Sequence, residues 1–216
     1  MDKQQVRGEV QEVERQVIAM GNLVESLFAD SVMALIERNP AMVPEMREED
    51  CRAHERGLEV DRLCTELLTN GELAAEQVHV VWTAGKIISD LKRVADESLR
   101  IAEGLRSCQA ESLAAAQALA SIPGMAELTQ SMLSDALEAY VNHDLTEAAA
   151  VHLVYRELAA LHAQAADELS RGMADGEVAA PTGAAFIAVA GRLERIGQEA
   201  LNIGAHVSHL CRANGA

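Results

Sequence analysis

An all-α fold, built twice over, is what this sequence predicts, and three observations predict it. Only 2% of the 216 residues are aromatic while 49% are hydrophobic. Ala, Leu, Val and Ile must therefore fill the interior, which suits helix-on-helix packing better than a β-sandwich. Four prolines and fourteen glycines supply too few turns for an all-β chain. Apolar residues also recur at spacings of three and four over long stretches, and one such stretch returns later in the chain. The length suffices for one large or two small domains with a real core.

The elements follow in order. Val10, Val13, Val17, Met20, Val24 and Leu27 form an a/d seam on a first helix that runs to about Glu37. Asn39-Pro40 ends it, because the residue before a proline avoids helical geometry. A second helix starts near Pro44 and runs through Val60, Leu63 and Leu67 to a stop at Asn70-Gly71. The third spans about Glu76 to Ser107, with Ile87, Leu91, Val94, Ser98, Ile101 and Leu105 on its seam. A fourth covers Leu128 to Val141, Asn142-His143-Asp144 is a break, and a fifth runs from Leu145 to about Arg171. Gly172 to Pro181 reads as a loop before the last helix.

That last helix repeats the third. Val189, Leu193, Ile196, Ala200, Ile203 and Val207 fall on the same seam, and the pairs Leu91/Leu193, Arg93/Arg195, Glu97/Glu199, Leu99/Leu201 and Ile101/Ile203 are identical or charge-paired at one fixed offset. Chance seldom aligns a seam and its flanking charges together, so an internal duplication is expected. The two units are 1–107 and 108–216, each a three-helix bundle, with the boundary inside Cys108–Pro123.

Charge narrows the function. Acids number 34 against 18 Lys and Arg, a net charge of −16. Residues 1–107 hold 13 basic and 21 acidic groups and the remainder 5 and 13, so neither half is basic. Nucleic-acid binding and anionic membrane surfaces are disfavoured, since both require clustered Lys and Arg. Cys51, Cys64, Cys108 and Cys211 form no C-x-x-C pair and read as reduced thiols of a cytoplasmic protein. The polar start Met1-Asp2-Lys3-Gln4-Gln5 has no apolar signal region, and the weakly polar run Val178 to Gly191 is too short to span a bilayer.

Catalysis has no signature here. There is no Walker A loop, no G-x-G-x-x-G after a strand, no H-E-x-x-H and no nucleophile elbow, so the expectation is a protein that is not an enzyme. His206-Val-Ser-His209 with nearby Cys211 has the spacing of a metal pair, but histidines also favour the negative end of a helix, and the structural reading is preferred. Glu48-Glu49-Asp50 reads as an acidic helix start. The acids and arginines repeated on the third and sixth helices are either a fold-specifying interhelical ion pair or a functional surface.

Two segments carry a resemblance. Asp90-Leu-Lys-Arg-Val-Ala-Asp-Glu-Ser-Leu-Arg-Ile-Ala-Glu103 and Leu193-Glu-Arg-Ile-Gly-Gln-Glu-Ala-Leu-Asn-Ile203 resemble the duplicated L-E-R-I-G-D-x-x-x-N-I motif of the PhoU family. Ala19 to Val24, Leu58 to Asp61 and Ser131 to Leu137 resemble further helical segments of that family, so the likeness covers nearly the whole chain. It implies two similar three-helix bundles and a cytoplasmic negative regulator of phosphate uptake and phosphate-starvation signalling. The implied partners are the ATPase subunit of a phosphate ABC transporter and a sensor histidine kinase, and a homodimer is expected.

The resemblance also implies metal ions, among them iron, zinc or manganese, held by (E/D)-x-x-x-D pairs. Carboxylates four residues apart share a helical face, so two adjacent helices can offer four oxygens to a cation cluster. Here those positions read Gly57/Asp61 and Lys92/Asp96 in the first repeat, and Leu158/His162 and Glu194/Gln198 in the second. No multinuclear cluster is expected. Asp61 and Asp96 remain as ligands for a single divalent or iron cation in the first repeat, with Glu194 the residual acid of the second. The alternative to a docking regulator is thus a carboxylate-based metal-binding helical protein that stores or senses a cation. The expected partner surface carries Arg93, Asp96, Glu97 and Arg100 of the first repeat with Glu194, Arg195, Glu199 and Asn202 of the second.

Overall fold

The computed structural model describes residues 3–70, 72–104, 121–213 and 215. Six principal helices run through them: α1 Lys3–Glu37, α2 Val43–Asn70, α3 Ala75–Gly104, α4 Ser121–Asn142, α5 Leu145–Ala174 and α6 Ala180–Ala213. A short 3-10 turn, Pro40–Met42, joins α1 to α2. No strand occurs among the described residues. Helices α1 to α3 pack on one another, as do α4 to α6, and the two bundles meet where α3 lies along α6 and α1 touches α4. The interior is one continuous apolar core shared by both bundles.

Local chemistry explains the breaks. At the end of α1, Arg38 turns into the left-handed region at φ 53°, and the Asn39 side chain accepts from the Ala41 N–H at 3.2 Å. Asp144 caps α5: one carboxylate oxygen accepts from the Thr146 N–H at 2.6 Å and the Glu147 N–H at 3.1 Å. That cap satisfies two donors that a helix start otherwise leaves unpaired.

Two boundaries differ from the expected ones. Helix α4 is already helical at Ser121, the first residue described after 104, and Pro123 lies within it, ahead of the expected start at Leu128. Helix α6 begins at Ala180, with Pro181 in its first turn, while α5 continues to Ala174. A proline lacks only an N–H that the first turn would not use, so it opens a helix as readily as it stops one. The expected loop Gly172–Pro181 shrinks to residues 175–179, turned by Gly176 at φ 74°. Leu105, Ser107, Cys108 and most of the expected unit boundary lie outside the described residues.

The seams close as their spacing requires. Val13, Val17, Met20, Val24 and Leu27 of α1 are fully buried, as are Ile87, Leu91, Val94, Ser98 and Ile101 of α3 and Leu193, Ile196, Ala200, Ile203 and Val207 of α6. On α2 the inward line is Met46, Ala53, Gly57, Val60, Cys64 and Leu67. Cys64 thus takes the place expected of Leu63, and burial pushes its thiol up to about 11. By length and composition α1 is apolar enough to cross a membrane, but its apolar stripe lies in the shared core.

Leu91 and Leu193 occupy equivalent mid-helix places with no exposed surface. Leu91→Ala and Leu193→Ala are each expected to lower stability by roughly 2–5 kcal/mol, read from denaturant melts. A loss below about 0.5 kcal/mol for either would contradict its place in the core.

Candidate functional site

The two motif helices face each other. Asp90 lies opposite His206, Arg93 opposite Glu199, and Glu97 opposite Arg195 and Arg192. Numbers fall along α6 as they rise along α3, so the helices run antiparallel. Each needs its apolar seam for its own bundle, which leaves the flanking charges to meet between the bundles.

Glu97 is the centre of this seam. One tenth of its side chain is exposed, and it accepts from Arg100 at 2.8 Å, Arg192 at 2.9 Å and Arg195 at 3.4 Å. Beside it, the Arg93 Nε donates to Glu199 at 2.9 Å, and a second Arg93 nitrogen donates to the nearly buried Asp90. The hydrogen bond from Arg93 to Glu199 holds the guanidinium pKa above its ordinary value against the opposing effect of burial. Asn202 donates to Glu199 at 3.1 Å, and Gln198 donates to Asn202 at 3.3 Å.

Six of the eight residues expected at a partner surface therefore come together: Arg93, Glu97, Arg100, Arg195, Glu199 and Asn202. They are linked inside the molecule as a fold-specifying interhelical network, and the network is also partly open. Its acids point inward while Arg93, Arg100 and Arg195 keep 49%, 51% and 68% of their side chains exposed. The outer layer of the seam is thus cationic on a chain whose net charge is −16. Arg192, which binds Glu97 across the bundles, escaped the sequence reading because its counterpart at the repeat offset is Asp90, a residue of opposite charge.

Asp96 and Glu194 stand apart from this network, and Asp61 has its own partner. The Lys92 ammonium donates to Asp61, and a Cβ built on Gly57 would collide with the Lys92 side chain. Glycine at one expected ligand position thereby makes room for the lysine at another. The structure therefore does not pair Asp61 with Asp96. Instead the His54 Nε2 lies 3.7 Å from Asp96 and its Nδ1 lies 3.5 Å from Asp50. One ligand atom from each of Asp50, His54 and Asp96 falls within 4.8 Å of the other two. Asp50 and His54 sit four residues apart on α2, a spacing that was legible, but Asp50 was read as part of an acidic helix start. Helix α2 starts at Val43, close to the expected Pro44, so Asp50 stands two turns inside the helix and not at its start. Burial raises the Asp50 pKa, and the Asp96 charge adds to the rise while His54 opposes it.

In the second repeat the equivalent place is filled by carbon. Leu158 is fully buried and lies where a Cβ on Gly197 would be. Glu194 accepts from the Tyr155 hydroxyl, whose pKa is pushed up to about 12 by burial first and by the Glu194 bond second. His162 lies beside Gly191 on the same α5–α6 contact.

Fold and site together define a duplicated helical-bundle protein in which the same helix of each copy forms the inter-bundle seam. The PhoU domain model matches residues 17–105 and 122–207, one match in each bundle, and the chain belongs to the PhoU family. A Pseudomonas putida protein described as a phosphate-specific transport system accessory protein PhoU homolog is 28% identical over 210 residues, covering 97% of this chain and 81% of its own length. The Escherichia coli K12 phosphate-specific transport system accessory protein PhoU is 24% identical over 92% of this chain and 82% of its own. The crystal structure of PhoU from Pseudomonas aeruginosa superposes with a TM-score of 0.90 at 26% identity, covering 95% of this chain and 98% of that one. A Streptococcus pneumoniae PhoU structure at 22% identity and a TM-score of 0.87 shows the same fold.

Asp50 gives a pH-dependent expectation. A carboxyl whose folded pKa is raised destabilises the folded state when ionised, and the penalty disappears as pH falls through that pKa towards the ordinary value near 3.9. Asp50→Asn is therefore expected to raise the melting temperature of metal-free protein at pH 7 by on the order of 1–3 °C. The gain should fade below about pH 4. An unchanged or lowered melting temperature at pH 7 would show that the Asp50 charge is well compensated.

Proposed function

We propose that this protein is a cytoplasmic accessory regulator of phosphate uptake, which restrains the transporter and phosphate-starvation signalling by docking and carries out no reaction of its own. The observation that carries this reading is the end-to-end likeness of both bundles to phosphate-specific transport system accessory proteins, across 97% of the chain in the Pseudomonas putida relative. The partners proposed are the transporter's ATPase subunit and a sensor histidine kinase, with the protein acting as a homodimer. Arg93, Arg100 and Arg195 suit a docking face, because their acids hold them in place while their outer nitrogens remain open to a partner's carboxylates.

A second reading, cation binding in the first repeat, is favoured by the Asp50, His54 and Asp96 cluster. One imidazole and two carboxylates form a donor set that Mn²⁺, Fe²⁺ or Zn²⁺ accepts. On this reading Asp61 is not a ligand, since Lys92 occupies it, and Glu194 remains tied to Tyr155. Elemental analysis after purification without chelator tests it: about one ion per chain, lost in His54→Ala, supports the site, and a metal-free wild type removes it.

The regulatory reading is tested in the native host. Deletion of the gene is expected to derepress a phosphatase reporter in phosphate-rich medium, and the tagged protein should capture the ATPase subunit or the kinase. The double variant Arg100→Glu, Arg195→Glu should weaken capture by roughly 10-fold, about 1.4 kcal/mol, and flatten its dependence on salt. A reporter that stays repressed after deletion, with neither protein captured, would overturn the reading.

A further inference from the structure

The single tryptophan of the chain stands on the surface, at the end of the α3–α6 seam remote from Glu97. Trp82 is 44% exposed and shares one face of α3 with His79, a turn earlier, and Lys86, a turn later. Across the seam, the exposed His209 of α6 places its ring centroid 6.5 Å from that of His79, at an interplanar angle of 76°. The same His209 ring lies 6.2 Å from Trp82, and the Lys86 ammonium is 5.3 Å from the Trp82 ring centroid. One turn back on α6, the His206 Nε2 lies 3.3 Å from the Asp90 carboxylate, so that imidazole is already engaged. Neither the Glu97 network nor the Asp50–His54–Asp96 cluster uses His79, His209 or Trp82.

We propose that His79 and His209 hold one transition-metal cation of the Zn²⁺, Ni²⁺ or Cu²⁺ class between the two bundles, with water completing its coordination. Imidazole is the commonest protein ligand for such ions. Two imidazoles on one ion place their ring centroids roughly 5–6.5 Å apart, from metal–nitrogen bonds of about 2.0–2.1 Å. The observed 6.5 Å separation stands at the upper edge of that range, and side-chain rotation covers the remainder. Neither residue of the pair supplies a carboxylate, so hard ions that require oxygen, such as Mg²⁺ and Ca²⁺, do not fit. The half-buried His79 and exposed His209 both flank solvent, which leaves an entry path. Lys86 brings a like charge close by, but on a long exposed chain that can turn away. Because one ligand comes from each repeat, the ion ties the first bundle to the second at the end of the seam that the arginines do not reach.

Trp82 reports on the site directly. Titration with Cu²⁺ is expected to quench its fluorescence along a saturable curve of one ion per chain, reversed by EDTA. His79→Ala and His209→Ala should each raise the midpoint about tenfold or more, whereas His54→Ala, in the other cluster, should leave it unchanged. Both imidazoles lie outside the core, so circular dichroism melts should show these variants folded. As a second readout, in a His54→Ala background that removes the other cluster, Zn²⁺ should raise the melting temperature, since the ion binds the folded seam, and should not raise it once His209→Ala is added. Quenching that is linear without saturation, or a midpoint that moves only in His54→Ala, would overturn the proposal. So would a Zn²⁺-induced rise that survives when His209→Ala is added to His54→Ala.

Discussion

A carboxylate with nine tenths of its side chain out of water cannot keep its charge without donors, and Glu97 draws them from both repeats. Arg100 comes from its own helix, while Arg192 and Arg195 cross from α6. Removing one partner from such a cluster leaves the rest uncompensated in a medium that screens poorly. The two bundles are therefore not free to slide along each other: a shift of one turn, about 5.4 Å, would break the pairing of Glu97 with Arg192 and Arg195 as it stands and part Glu199 from Arg93. Apolar packing brings α3 and α6 together, and the ion pairs set where along their length they stop. This division suits the physics, since burial of aliphatic surface is non-directional whereas hydrogen bonds from guanidinium to carboxylate are not.

That lock has consequences for the faces on either side of it. In each bundle, the expected ligand positions on the second and third helices are filled by the chain's own side chains. In the first, Gly57 clears space for Lys92, whose ammonium meets Asp61. In the second, Gly197 clears space for Leu158. A tethered ammonium is present whatever the metal supply, and it gives one fixed charge where an ion would give two or three. The Asp50, His54 and Asp96 cluster joins the same two helices, with Asp96 one turn beyond Lys92.

The fold was legible because its signals are long and mutually consistent. Seams of six positions, all apolar on α1 and α6 and broken on α3 by Ser98 alone, leave no other period, and the repeat offset aligns both seam and charge. Element ends are less legible, since Pro181 closes the expected loop yet lies in the first turn of α6, and Pro123 at the expected unit boundary lies within α4. The seam residues were found as candidates, but their pairing was not. Helical spacing says which side of α3 carries Glu97, not which residue of α6 will face it, and Arg192 has no charge-matched twin at the repeat offset. The Asp50–His54–Asp96 cluster is hidden for another reason: helical spacing places Asp50 and His54 on one face of α2 but does not say that Asp96 of α3 faces them.

The inward-facing acids and outward-facing arginines bear on how a protein of net charge −16 selects a partner. A uniform negative surface repels acidic partners and attracts basic ones at long range, within the Debye length of about 8 Å at physiological salt. The seam reverses that preference locally, because its arginines are the groups that reach solvent. An acidic partner segment approaching elsewhere is repelled, and one approaching the seam meets guanidinium groups already oriented by Glu97, Glu199 and Asp90. Orientation lowers the entropy lost on contact. It also makes recognition depend on both bundles at once, since Arg93 and Arg100 belong to one and Arg195 to the other. A surface assembled this way is present only while the bundles keep their register, so on the docking reading proposed above a partner would read the state of the seam itself.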